Sequence, residues 1–303
     1  MKAYLKDKGS QFDRIACSIF FMLSVLLAAE FSSADESKIP WWAKSSEVSK
    51  LEYALLERDV ALIEELLRSG VDPLEYQSQF NTSIYLKSFP DREFKEENLE
   101  IIRLLLSYQA DINFGSRPDG CPPLFYIIGI GEPSVYKLQA VKLMLDFNAS
   151  IDVGSRCPAT LLQQALMSKE YKIAVLLIER GYIIDDRDYD DLARIRGQES
   201  MGYVLDAIDH NLLIENAEHF FFFDNPLFVK YLVEHESLPE TIEVGGHRCF
   251  TPASYAAKRY KARILFALKS HGVNLRKDDC SGKDAYDYWP DLDKYLNRVG
   301  QGG

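Results

Sequence analysis

The feature that most constrains this chain is an internal repeat. An apolar helical phrase with paired large aliphatics runs into a turn residue and then a short polar link. It reads Ile63-Glu64-Glu65-Leu66-Leu67-Arg68-Ser69-Gly70-Val71-Asp72, then Ile102-Arg103-Leu104-Leu105-Leu106-Ser107-Tyr108-Gln109-Ala110-Asp111, then Val141-Lys142-Leu143-Met144-Leu145-Asp146-Phe147-Asn148-Ala149-Ser150. Two further copies end at Gly181 and Gly272. The turn residues 70, 109, 148, 181 and 272 are 39, 39, 33 and 91 apart, so the underlying period is near 33 and the last gap holds two or three degenerate units. Small residues on the first helix of a unit (Ala54, Ala165, Ala256) let helices approach closely, and Leu and Ile pairs on the second fill the space between stacked units. No unit of this size buries its apolar face alone.

A 33-residue helix-turn-helix unit that ends in Gly-Ala-Asp and reopens with Thr-Pro-Leu-His-x-Ala is the ankyrin repeat, and this chain resembles that family. The best local match is Thr251-Pro252-Ala253-Ser254-Tyr255-Ala256-Ala257, followed by Ile264, Leu268 and His271-Gly272-Val273-Asn274. Ser281-Gly282-Lys283-Asp284-Ala285-Tyr286-Asp287-Tyr288 looks like the start of a further unit, whereas Cys121-Pro122-Pro123-Leu124 and Asn81-Thr82-Ser83-Ile84 keep only part of the motif. The resemblance implies an all-α solenoid of about six to eight divergent units with short hairpin-like links, spanning residues 46–299. A lead-in at 35–45 and a tail at 300–303 flank it.

Two units are stretched between their helices, around Phe89-Pro90-Asp91-Arg92-Glu93-Phe94 and Gly129-Ile130-Gly131-Glu132-Pro133-Ser134, where Pro and Gly make loops instead of longer helices. Such loops carry recognition or are tolerated surface insertions. The stretch from Asp185 to Glu236 is the least regular, and its run Phe220-Phe221-Phe222-Phe223 reads as a buried helix face.

The first 34 residues follow another logic. Lys2, Lys6, Lys8 and Arg14 precede an uncharged apolar run from Ile15 to Ala29, 15 residues long, and Ser32-Ser33-Ala34 supplies small residues after it. A membrane span needs roughly 20 apolar residues, so the run fits a secretory signal peptide over 1–34, cleaved after Ala34; an uncleaved anchor is the alternative, and either exports the domain. Cys17 sits at the front of the run, unlike the cysteine of a lipoprotein leader. The expected location is periplasmic or extracellular, with no stable membrane insertion after cleavage.

Charge and motif searches narrow the function. A net charge of -11 repels phosphate backbones, so nucleic acid is not an expected partner. His210, His219, His235, His247 and His271 are scattered without a zinc-hydrolase spacing. The run Asp185-Asp186-Arg187-Asp188-Tyr189-Asp190-Asp191 fails as a calcium loop, because its sixth position is Asp191 instead of Gly and its twelfth is Gly197 instead of Glu. It reads as a solvated acidic loop suited to electrostatic steering. With no phosphate loop or nucleophile elbow present, no enzyme, cofactor or metal is expected.

Four cysteines follow the leader. Cys121 and Cys157 lie ahead of the first helices of consecutive units, 36 residues apart, and Cys249 and Cys280 repeat that relation at 31. Each pair is a disulfide candidate in an oxidising compartment. Layers packed about 10 Å apart would hold Cα atoms beyond the reach of a disulfide, about 7 Å, unless the links are offset, and four free thiols are the alternative.

The resemblance implies a protein-binding module, expected to be monomeric when free. Candidate contact residues, chosen in links and loops for aromatic and charged character, are Tyr76, Phe114, Arg117, Asp119, Asp186, Arg187, Tyr189 and Arg248. Exported bacterial ankyrin proteins include immunity proteins that sequester toxic effectors, lipases delivered by type VI secretion among them, and an acidic rigid scaffold is compatible with that use. The alternative is a stabilising partner of a resident periplasmic protein.

Overall fold

A computed structural model describes residues 39–90, 93–115, 120–154, 157–244 and 247–301, with the backbone alone at 243, 244, 247–249 and 301. The expected leader and its cleavage site after Ala34 lie outside the described residues. Among the described residues no helix is long and apolar enough to cross a membrane. The chain divides into two compact units, one ending at Val71 and one beginning at Asp72.

In the first unit, α1 (Glu47–Glu57) and α2 (Val60–Arg68) form one helix pair. Ser46 accepts the Ser49 N–H and Asp59 accepts the Leu62 N–H, so each helix starts at a side-chain cap. Leu62, Ile63, Leu66 and Leu67 are buried, and Ala54 is fully buried with them.

The second unit opens with α3 (Pro73–Phe80) and then repeats the pair. The pairs are α4 (Ile84–Ser88) with α5 (Glu96–Ser107), α6 (Pro123–Gly129) with α7 (Val135–Asp146), α8 (Leu161–Met167) with α9 (Tyr171–Glu179), and α10 (Asp186–Leu192) with α11 (Gln198–Leu205). A short α12 (His210–Glu215) intervenes before α13 (Ala217–Phe222) with α14 (Pro226–Glu234), α15 (Pro252–Lys258) with α16 (Ala262–Ser270), and α17 (Ala285–Tyr288) with α18 (Leu292–Gln301). First helices touch first helices in the order α4, α6, α8, α10, α13, α15, α17, and second helices touch in the order α5, α7, α9, α11, α14, α16, α18. Two parallel rows of helices sharing one apolar seam make this unit an ankyrin-like helical solenoid. One exception to an all-helical chain is a β-hairpin between α14 and α15, in which β1 (Ile242–Val244) pairs antiparallel with β2 (His247–Phe250).

The turns explain the spacing seen in the sequence. Gly70, Gln109, Asn148, Gly181 and Gly272 all take the left-handed conformation, and Glu236 is the marker hidden in the long gap. After each of the last five, the next N–H returns to a carbonyl in the preceding helix, as from Tyr182 to Leu177 at 3.0 Å and from Val273 to Leu268 at 3.0 Å. A second left-handed series closes the turn inside the pairs. Arg58, Lys169 and Tyr260 have φ near 57°, and the residue after each donates to Ala54, Ala165 or Ala256 at 2.8–2.9 Å. Asp224 repeats the geometry with Phe220 in the alanine slot.

That substitution accounts for the phenylalanine run. Phe220 and Phe221 are fully buried, and the Phe220 ring stacks on Phe228 at 3.7 Å, but Phe222 is 47% exposed. The expected buried face is therefore real for two of the four residues. Of the two stretched loops, the first folds back on itself, with Phe89 and Phe94 buried 6.3 Å apart.

Cys121 and Cys157 are joined by a disulfide, with Cα atoms 5.4 Å apart. The links ahead of α6 and α8 are thus offset enough to meet although their helices pack as layers. Cys280 is also disulfide-bonded, and the side chain of Cys249 lies outside the described residues.

Two outcomes follow. A Cβ at Gly181 would meet nothing within 4 Å, so Gly181→Ala carries the left-handed backbone cost alone, about 1 kcal/mol, read as a lower urea midpoint. The Cys121→Ser/Cys157→Ser variant releases a 36-residue loop and loses about 3 kcal/mol on the same measurement.

Candidate functional site

The acidic run at 185–191 is not a solvated loop, and this corrects the sequence expectation. Asp186–Leu192 forms α10, with Asp185 as its N-cap and Asp188 closing a capping box. Aspartates satisfy the free N–H groups of a first helical turn and sit at its positive end, which is why an Asp-x-x-Asp spacing starts a helix.

Asp188 is fully buried and ties three elements together. It accepts the Thr160 hydroxyl at 2.5 Å, the Tyr182 hydroxyl at 3.0 Å and the Asp185 N–H at 3.0 Å. Thr160 in turn caps α8 by accepting the Gln163 N–H at 3.0 Å. Burial raises the Asp188 pKa against the opposing effect of these donors, and burial likewise raises that of Tyr182. Fully buried and holding three donors, Asp188 keeps the walls in place.

Those walls enclose a groove of about 420 Å³ between two links, lined by Ile151, Val153, Leu161, Tyr182, Ile183 and Arg187 among others. Ile183 stands 87% exposed at its edge. Beside it, the Arg187 guanidinium lies 2.8 Å from Asp185, and the hydrogen bonds from Arg187 hold the Asp185 carboxyl below the usual range. The site therefore offers one exposed aliphatic anchor, an apolar floor and an oriented ion pair. That is the chemistry of a contact patch.

Ile183 also breaks the repeat. The second residue after the turn is Asp72, Asp111, Ser150 and Asn274 in four other copies, whereas the Glu236 turn is followed by another aliphatic, the half-buried Leu238. Three of these, Asp72, Asp111 and Asn274, accept the backbone N–H two residues on, from Leu74, Asn113 and Arg276. Isoleucine can accept none, and in this link Asp185 takes over by accepting the Arg187 N–H at 2.9 Å. Aligning the links on their turn residues would have marked Ile183 and Leu238 in the sequence, and only the structure shows that Ile183 is the exposed one of the two.

Of the expected contact residues, Asp186 and Arg187 are exposed and adjacent in the first turn of α10. Phe114 is half-buried in the link after α5. Tyr76 and Tyr189 are corrections. Tyr76 is fully buried against Phe80, ring centroids 4.7 Å apart, and Tyr189 is buried between His219 and Phe220. Both lie on helices whose apolar side faces the seam, so their rings pack instead of meeting a partner. Arg117 and Asp119 lie outside the described residues. Arg248 pairs through its backbone with Glu243, and its side chain is outside the described residues.

His210, His219 and His235 serve packing. Tyr231 donates to Asp206 at 3.0 Å, lies 3.0 Å from His210 Nε2 and stacks on His235 at 4.1 Å, clamping α11 to α14. Among the described residues no three His, Cys, Asp or Glu side chains gather as a metal site.

Asp188→Ala leaves two hydroxyls and one N–H without an acceptor and costs about 2–4 kcal/mol in urea unfolding near neutral pH. Asp188→Asn keeps a carbonyl acceptor and costs less than half as much.

No family model and no curated protein matches the chain. Among solved structures, the human ASB11 ankyrin repeat domain is similar over 84% of this chain and 97% of its own, at 18% identity and a TM-score of 0.40. A chain from the complex of the predatory endopeptidase Bd0816 of Bdellovibrio bacteriovorus with immunity protein Bd3460 is similar over 67% of this chain and 92% of its own, at 18% identity and a TM-score of 0.33.

Proposed function

We propose that this chain is an exported, non-catalytic binding scaffold, and that the groove beside Ile183 seats part of a protein partner. The observation that carries the reading is the isoleucine itself. Four other links place a polar residue at this position and the link after Glu236 half-buries its Leu238, but this one exposes an aliphatic side chain over a preformed groove. Leaving Ile183 in water forgoes its burial, about 2 kcal/mol, which a bound partner would restore.

The apolar 15-residue leader run and the Cys121–Cys157 disulfide support an oxidising compartment outside the cytoplasm. Within that reading we place the chain as an immunity protein for a toxic effector. A net charge of -11 accelerates capture of a basic partner, and stoichiometric inhibition needs a stiff surface and no chemistry.

Ile183→Asp separates folding from binding. Position 183 is exposed and the Asp185 N–H two residues on is already held by Asp188, so the urea midpoint stays about level, while recovery of the partner from periplasmic extract falls about tenfold. Undiminished recovery would remove the groove from the binding surface. The immunity reading has its own test, since cells deleted for this protein should die when the neighbouring gene's product is exported, and survival ends it.

A further inference from the structure

The ends of the helix pairs away from the links carry a different surface. Here first helices end and second helices begin, so the second helices present their N-termini, which are electropositive. One groove of about 620 Å³ lies between the starts of α7, α9 and α11, and a second of about 700 Å³ lies beside it. They share Lys169, Tyr171 and Ser200. The strip continues into the next pairs. Arg194 sits 4.7 Å over the Phe223 ring, Lys261 lies 5.0 Å from the Phe222 ring, and Asp224 accepts the Ile264 N–H at 3.1 Å.

This strip runs against the charge of the molecule. Lys169, Lys172, Arg196, Arg259, Lys261 and Arg263 form no ion pair among the described residues. Most acids on the same edge are neutralised or engaged. Glu170 is buried 2.5 Å from the buried Lys137 ammonium, Asp191 pairs with Arg194 at 2.8 Å, and Asp224 is half-buried as a backbone acceptor, which leaves Glu132 and Glu199 exposed. A positive strip therefore survives on a chain of net charge -11.

Exposed apolar side chains alternate with these cations: Val135 at 61%, Met167 at 69%, Tyr203 at 47%, Phe222 at 47% and Tyr260 at 66%. Met167 and Phe222 hold one repeat position, two residues beyond the slot of Ala165 and Phe220. That regularity sets an apolar contact in each of two pairs, with cations between.

We propose that this edge is a second docking surface, for an acidic segment of protein chain whose apolar side chains enter the two grooves while its carboxylates meet Lys169, Lys172 and Arg196. Nucleic acid and anionic bilayers extend well past a Debye length and meet the repulsion of the whole molecule, whereas a short segment feels the local strip. The grooves also fit side chains better than a flat lipid surface.

The test uses the full chain and a short fluorescein-labelled peptide alternating Glu with Phe and Leu, followed by fluorescence anisotropy. Saturable binding is expected, weakening with added salt and about tenfold in Lys169→Glu/Arg196→Glu, whose side chains are exposed and whose circular dichroism melt should match the parent. The Ile183→Asp variant should bind the peptide as the parent does, so the two surfaces succeed or fail separately. The proposal is overturned if no saturable binding occurs, if the double charge reversal leaves affinity unchanged, if a peptide with Lys in place of Glu binds equally, or if phosphatidylglycerol vesicles bind as tightly as the peptide.

Discussion

Every element of the second unit depends on apolar burial between consecutive helix pairs. Its longest helices, α5 and α7, have 12 residues, and α17 has four. Helices this short are marginal in water, because nucleation consumes more entropy than so few hydrogen bonds return. They persist because each row of helices buries its aliphatics against the next pair, as Ile101, Ile102, Leu105, Val141, Met144, Ile173 and Leu177 do. Stability of that kind is a sum over neighbouring interfaces.

Such a seam demands a fixed rise from pair to pair, and the turns supply it. In four of the pairs two left-handed positions, one inside the pair and one after it, return an N–H to the preceding helix. Glycine suits these positions, yet Arg58, Lys169 and Tyr260 occupy three of them. All three side chains are exposed, and in the second unit Lys169 and Tyr260 lie on the turn-side edge, where a charged or aromatic group is worth more than the backbone ease of glycine if something binds there. The alanine beneath each lets the second helix close on the first, and where Phe220 replaces it the neighbouring Phe228 stacks against the ring.

Polar groups then divide the labour between the two edges. On the link side, buried Asp188 fixes two links with three donors and leaves Ile183 exposed over the groove. On the turn side, buried Lys137 neutralises Glu170, and free cations gather around exposed methionine and aromatic rings. Buried ions seldom add net stability, but each of these holds a recessed surface in one shape.

The repeat phrase, its turn residues and its aliphatic pairs determined the architecture from sequence alone, because 3.6-residue periodicity and a left-handed turn are local properties. Helix pairs, the long gap and the two stretched loops were legible for that reason. Local reading failed wherever a side chain's fate depends on what lies one repeat away. Tyr76 and Tyr189 look like contact residues in a link-rich sequence and prove to be packing, Asp188 looks solvated and is buried, and the Cys121–Cys157 bond needed an offset that no spacing specifies. Only the stacking decided which edge each residue faces, since burial is a property of two surfaces meeting and the sequence describes them one at a time.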